Sequence, residues 1–219
     1  MTTGPTPQGA AADGGYPVQF AVEYPDRPLN RLTTAFRPLV AIPIMIVLAT
    51  IGGVSADWTQ GNRDLTVGTL GGIVFVPTLL MIVFRQKYPR WWFDFNLELQ
   101  RFTNRVGAYL ALMDDRYPST DEQQYVTLEI PYPDARRELN RWLPLVKWLL
   151  AIPHYVVLLF LWLAALLVAI AAWFTILFTG RFPRGLFDFI EGVLRWTNRV
   201  EAYALLLATD RYPPFRLSP

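Results

Sequence analysis

"AIPHYVVLLFLWLAALLVAIAAWFTILFTGRFPRGLFDF", residues Ala151 to Phe189, decides how this chain is read. No Asp, Glu, Lys or Arg occurs anywhere from Trp148 to Gly180. A helix crossing roughly 30 Å of hydrocarbon needs about 20 residues, and this run is far longer. An unbroken helix of it would measure about 50 Å at ~1.5 Å per residue, too long for one upright crossing. Extended back to Arg141, with Lys147 reaching the interface on its aliphatic stem, the run has room for two crossings. The expectation is a tight helical hairpin turning near Leu161–Ala165.

Two further uncharged stretches precede it, Pro38–Ala56 and Leu65–Phe84, each close to the length of a single crossing. The whole chain of 219 residues is 53% hydrophobic and 15% aromatic, above what an ordinary soluble domain carries. Cysteine is absent, which excludes disulfides, thiolate chemistry and Cys-based metal sites together. A net charge of +2 gives no electrostatic footprint for nucleic acid. The opening "MTTGPTPQGAAADGG", residues 1–15, is small, polar and rich in Gly and Pro; it reads as a disordered tail, without the basic and apolar regions of a secretory signal.

An internal repeat orders the rest. "YPVQFAVEYPD" at Tyr16–Asp26 resembles "QYVTLEIPYPD" at Gln124–Asp134. "LNR" at Leu29–Arg31 and "AIP" at Ala41–Pro43 recur with one common offset, at Leu139–Arg141 and Ala151–Pro153. "YPRWWFDF" at Tyr88–Phe95 and "TNRVGAY" at Thr103–Tyr109 recur with a second, smaller offset, as "FPRGLFDF" at Phe182–Phe189 and "TNRVEAY" at Thr197–Tyr203. "DRYP" at Asp115–Pro118 returns at Asp210–Pro213. The shrinking offset places an excess of chain in the first unit, where the polar "ADWTQGNRD" joins its two apolar stretches. If the first unit crosses twice, the second most simply does too. With both termini cytoplasmic, every Lys and Arg among the 20 except Arg63 falls on the cytoplasmic side, the bias expected of membrane proteins.

Outside the spans, Val18/Phe20/Val22 and Val126/Leu128/Ile130 alternate with polar neighbours, the period of a half-buried strand. One strand per unit predicts a pair, since neither is stable alone. Leu186–Ala208 changes to a helical period, polar on one side and apolar on the other, and Trp92–Leu112 matches it. Both read as amphipathic helices lying in the membrane interface. The expected architecture is a mainly α integral membrane protein of two tandem repeats, residues 16–118 and 119–219. Each repeat holds a short strand, a transmembrane helical hairpin and an interfacial helix, four crossings in all.

The second unit, "WLPLVKWLLAIPHYVVLLFLWLAALLVAIAAWFTILFTGRFPRGLFDFIEGVLRWTNRVEAYALLLATDRYPPF", resembles bacterial domain-of-unknown-function family 4389 nearly end to end. The first unit is a looser copy, with "FRPLVAIP" and "VFRQKYPRW" where the second has "LPLVKWLL" and "LFTGRFPRG". The resemblance implies an integral membrane protein of a kind common in actinobacteria. It implies no activity, cofactor, substrate or catalytic residue.

Polar residues recur in pairs: Asn30/Arg31 with Asn140/Arg141, Asn104/Arg105 with Asn198/Arg199, and Asp115/Arg116 with Asp210/Arg211. Asp94 and Arg105, like Asp188 and Arg199, are spaced to stand about three turns apart along one helical face. Two roles are open. These residues knit the strands and surface helices together, or Arg105, Arg116, Arg199 and Arg211 hold the phosphates of anionic lipid. His154, the single histidine, lacks partners for a metal site. "GTLGG" at Gly68–Gly72, and Ala165 with Ala169, suit close helix packing, and Pro43, Pro77 and Pro153 suit kinks.

Three function classes remain. A non-catalytic membrane scaffold or accessory subunit, binding membrane lipids and a membrane protein partner at its cytoplasmic face, agrees best with polar residues confined to the surface. A small channel or transporter needs a polar path through spans that contain no Asp or Glu. A lipid-modifying enzyme has acids to draw on but no nucleophile, metal set, phosphate loop or cofactor motif.

Overall fold

The computed structural model describes residues 15–51, 54–56, 65–67, 70–120, 122 and 124–219, with side-chain surroundings given outside 51–74. The expected tail, the polar loop around Gln60 and Arg63, and the glycines of Gly68–Gly72 therefore lie outside the described residues or side chains.

The alternating segments form strands as their period requires. β1 (Gln19–Val22) pairs antiparallel with β4 (Val126–Glu129), Phe20 opposite Leu128 and Val22 opposite Val126. Those four side chains are buried, and Gln19, Ala21, Thr127 and Glu129 face outward. Between these strands run α1 (Arg31–Val40), α2 (Ile42–Ile51), the hairpin strands β2 (Val54–Ala56) and β3 (Leu65–Val67), α3 (Leu70–Arg85) and α4 (Arg90–Leu110). After β4 follow α5 (Pro144–Leu150), α6 (Ile152–Thr179) and α7 (Arg184–Ala204).

Local chemistry sets the boundaries. Asn30 caps α1, its side chain accepting from the Leu32 amide at 2.9 Å. Pro89 and Pro183 occupy the N-caps of α4 and α7. Helical runs break at Ala41 and Ala151, and Pro43 and Pro153 stand in the first turn beyond each break, where a missing amide hydrogen costs nothing. Gly180 ends α6 in the left-handed region, φ 74°, its amide donating to Ile176 O at 2.7 Å. Leu112 and Leu207 close α4 and α7 at positive φ without being glycine. Both side chains are buried, which offsets a backbone cost of about 1 kcal/mol each.

Three expectations need correction. α6 is unbroken from Ile152 to Thr179, so the hairpin at Leu161–Ala165 does not form. No Gly, Pro or polar side chain there satisfies a turn's backbone groups, and in apolar surroundings those groups must bond within the helix. In place of four crossings, two helical stretches among the described residues, Arg31–Thr50 and Ile152–Thr179, are long and apolar enough to span a membrane. The inner ends of the first two apolar stretches, Val54–Ala56 and Leu65–Val67, are strands. Lastly, α7 is not an interfacial helix with one wet face. From Ile190 to Ala204 nearly every side chain is buried, because α7 packs against α6, α5 and β1.

Aromatic rings lock strand ends to helix starts. Tyr24 meets Phe187 edge-on at 5.0 Å and Phe182 meets Phe187 at 5.6 Å. Tyr88 and Tyr132 meet Phe93 in the same way at 5.4 and 5.3 Å. Each such pair contributes on the order of 1 kcal/mol beyond its buried area. The entry to the first apolar helices is tied to the exit of α6. Leu29 donates its amide to Gly180 O at 2.8 Å, and the Tyr24 hydroxyl donates to Phe182 O. Conversely, Arg141 Nε donates to Val83 O at 2.6 Å and the Tyr132 hydroxyl to Tyr88 O.

Candidate functional site

The polar residues singled out by the sequence gather at three places. At the first, Arg37 is 1% exposed and donates to Tyr109 O and Asp114 O, both at 2.8 Å, and to Asp115 Oδ1 at 2.6 Å. Its guanidinium also lies 4.5 Å from the Tyr109 ring centre. Asp115 accepts from the Asn30 amide at 2.7 Å. At the second place, Lys147 is fully buried and reaches Thr209 O and Asp210 Oδ1, both at 2.7 Å, over the Tyr203 ring. Asp210 accepts from the Asn140 amide at 2.5 Å, and Asn140 Oδ1 accepts from the Trp142 amide. Aspartate, buried cation, carbonyl and tyrosine thus recur in the same roles. Sequence reading passed over Arg37 and expected Lys147 to reach the interface on its stem; the structure instead buries Lys147 on Asp210 and Thr209 O, and the offset that relates Asn30 to Asn140 relates Arg37 to Lys147.

The third place is the contact of α4 with α7. Asn104 and Asn198 exchange amide hydrogen bonds, each 2.7 Å, and each also donates to its own helix at Gln100 O or Leu194 O. Gln100 donates to Asn198 Oδ1 and to Glu201 Oε2. Burial pushes the Glu201 carboxyl up to about 7, and the hydrogen bond from Gln100 opposes that rise. Arg101 Nε donates to Leu128 O and Arg195 Nε to Phe20 O, both at 3.0 Å, which fixes the sheet on the two helices.

The four arginines expected to share a lipid site stand in two pairs: the Tyr16 hydroxyl approaches the carbonyl oxygens of Arg199 and Arg211, and Tyr125 donates to Arg105 O beneath the Arg116 guanidinium. Arg105 and Arg199 are each 3% exposed. Arg105 donates to Ser119 O at 2.6 Å, and Arg199 to Ser218 O at 3.0 Å and Arg216 O at 3.3 Å. Both buried guanidinium groups are bonded to main-chain carbonyls of the segments that follow their helices. Arg116 is half-exposed and pairs with Asp114 at 3.0 Å and Glu23 at 3.7 Å. Its two-point contact with Asp114 holds that carboxyl below the usual carboxylate range even though burial pushes the other way. Arg211 is exposed and donates to Gly15 O at 3.0 Å. The three-turn pairs also part: Asp94 lies 3.8 Å from Arg90 and Asp188 3.3 Å from Arg184, all exposed. Arg31 is exposed beside Gly180.

A cavity of about 560 Å³ opens where Tyr16, Phe20 and Glu129 meet Arg195, Arg199 and Arg216. Glu98, which approaches Arg105 to 3.9 Å, has Gly192 at the corresponding position of α7, filled by Leu217. Burial, with repulsion from Arg216 and Arg195, lowers the Arg199 pKa. His154 is enclosed by aromatics: its ring stacks on Phe215 at 3.9 Å, and its Nδ1 accepts from Trp196 Nε1 at 3.1 Å. Among the described residues no three of His, Cys, Asp or Glu are placed to hold a metal ion.

No curated protein and no solved structure matches the chain. Residues 142–216, which hold α5, α6, α7 and the segment behind them, match the family model for a domain of unknown function (DUF4389), so about a third of the chain is similar to that domain.

Proposed function

We propose that this protein is a non-catalytic membrane scaffold or accessory subunit, built from two copies of one unit, that presents a polar cytoplasmic face to a protein partner. One observation carries the reading: large exposed hydrophobic side chains crowd α1, α2, α3, α5 and α6, whereas β1, β4 and α7 contribute none. An apolar surface of that extent on one side of a chain whose other side is polar marks contact with lipid or a membrane partner. The two-unit reading is supported by the recurring Arg37/Asp115 and Lys147/Asp210 contacts and by the reciprocal Asn104–Asn198 bond. A membrane-facing role for cations falls to exposed arginines at helix ends, such as Arg31 and Arg184, rather than to Arg105 and Arg199.

The test is purification in mild detergent followed by identification of co-purifying lipid and protein. Retention in the membrane pellet through an alkaline wash, with a stoichiometric protein partner, is the expected result. Release of the chain into the aqueous supernatant in folded form overturns the membrane reading. Conversion of lipid by the purified protein overturns the non-catalytic one.

A further inference from the structure

We infer that α6 lies in the plane of the membrane, sunk into the acyl chains of one leaflet, and does not cross the bilayer. This rests on the membrane reading above and specifies its geometry.

α7 sets the level of the sheet relative to α6. Residues 180–183 join its first turn to the end of α6, and at its other end Tyr203 and Ala204 pack with Ala151 while the Trp196 indole meets His154. So α7 returns along α6, and the middle of one is level with the middle of the other. β1 lies along the same part of α7: Arg195 donates to Phe20 O, the Val22 amide to Glu191 Oε1, and Tyr24 packs on Phe187. Glu23, Gln19, Thr127 and Glu129 point outward from that sheet and are exposed. An upright α6 would set the exposed Glu23 and Glu129 carboxylates at the depth of the hydrocarbon. Exposed carboxylates do not persist there.

Laid flat, the same structure has no such conflict. His154, Leu158, Ala165, Ala172 and Ile176 recur at helical spacing as the buried stripe of α6. Val156, Leu163, Leu167, Ile170 and Phe174 fall opposite that stripe and are exposed. A helix about 10 Å across fits within one leaflet. Upright, 28 residues would extend about 42 Å and need a tilt of roughly 45° in a 30 Å core.

Charge supports the flat arrangement independently. Exposed Arg31, Arg181 and Arg184 mark the end of α6, and exposed Arg85, Arg90 and Arg141 mark the start of α5. One crossing would place these two groups at opposite surfaces. A helix in the plane keeps both at the headgroups of one leaflet, where each basic group is attracted to anionic lipid.

The chain has no native cysteine, so spin labels can be placed singly at Val156, Leu163, Leu167, Ile170 and Phe174 in the full-length protein, reconstituted in phosphatidylethanolamine–phosphatidylglycerol liposomes. Depth is read from the ratio of collisions with oxygen and with a water-soluble nickel chelate. The flat helix gives all five labels nearly the same depth, about 5–10 Å below the headgroup boundary. A maximum at Leu163 and Leu167 with Val156 and Phe174 near opposite surfaces overturns the inference and leaves the membrane reading standing. Labels in aqueous surroundings, on protein that does not float with the liposomes, overturn both. As a second measurement, Trp142→Cys and Arg184→Cys, at opposite ends of α5–α6, should react with an impermeant thiol reagent from the cytoplasmic side only. Reaction from opposite sides refutes the flat arrangement.

Discussion

Replacing Asn198 by Leu tests the contact on which the two long polar helices meet. In the native protein Asn198 gives one hydrogen bond to Asn104 Oδ1 and accepts one from Asn104 Nδ2, each 2.7 Å, with both residues buried. The substitution leaves the Asn104 carbonyl oxygen without its donor, while its amide still bonds Gln100 O at 2.8 Å. Gln100 also loses its acceptor on Asn198, though it keeps Glu201. A buried polar group stranded in this way costs about 1–3 kcal/mol. With one acceptor stranded and one donor half-satisfied, N198L should lower stability by about 2–4 kcal/mol. N104L should cost a similar amount. The double variant removes both polar groups together and puts two apolar side chains of comparable size in contact, so its loss should be smaller than that of either single change. The coupling energy is then at least about 2 kcal/mol in the favourable sense. Thermal unfolding in one detergent, followed by helical circular dichroism for the four proteins of the cycle, gives the comparison. Additive losses would refute the reasoning, since they would mean that the two side chains do not face each other.

Further outcomes follow from other contacts. The Glu201 carboxyl stands at about 7 in the folded chain, above its ordinary 4.5, so the folded state holds the extra proton and stability falls as pH rises from about 4.5 to 7. E201Q should remove that slope, worth about 3 kcal/mol across the window, and raise the melting temperature at pH 8; an unchanged slope sinks the assignment. K147M strands Asp210 and the Thr209 carbonyl and should cost about 3–5 kcal/mol in the same assay, with a loss under about 1 kcal/mol as the contrary result. G192A drives a methyl group to 2.9 Å from Leu217 and should destabilise by about 1–3 kcal/mol. G107A meets only Leu194 at 3.9 Å and should stabilise by up to about 1 kcal/mol, so equal effects at the two glycines would contradict the packing.

Much of the fold was legible because it is written in local periods. The alternation at Val18–Val22 and Val126–Ile130 announced β1 and β4 and their partnership, and the helical period announced α4 and α7. Orientation was not legible. The uncharged run from Trp148 to Gly180 states how much helix forms, and counting it against a bilayer thickness favoured a hairpin that the unbroken α6 does not make. The charges of α7 misled for a related reason. Arg195, Asn198 and Arg199 look like a solvated face, yet their partners are the Phe20 and Ser218 carbonyls and Asn104, which no local pattern brings near. Arg37 and Lys147 were hidden in apolar surroundings, with only their common offset to mark them.

The crossed ties between the two halves govern the order in which the chain is completed. β1 finds β4 only once the chain has grown from Val22 to Val126, and the Leu29 amide waits for Gly180. At a synthesis rate of ~5–20 residues per second, the delay between Val22 and Val126 is about 5–20 s. Throughout that interval α1, α2 and α3 exist without the helices that cover them, and the strand that will close the sheet has an open edge. A ribosome stalled near residue 118 therefore holds a chain with apolar helices and no tertiary closure. On the membrane reading proposed above, contact with the bilayer precedes folding, and lipid shelters the first half until the second arrives.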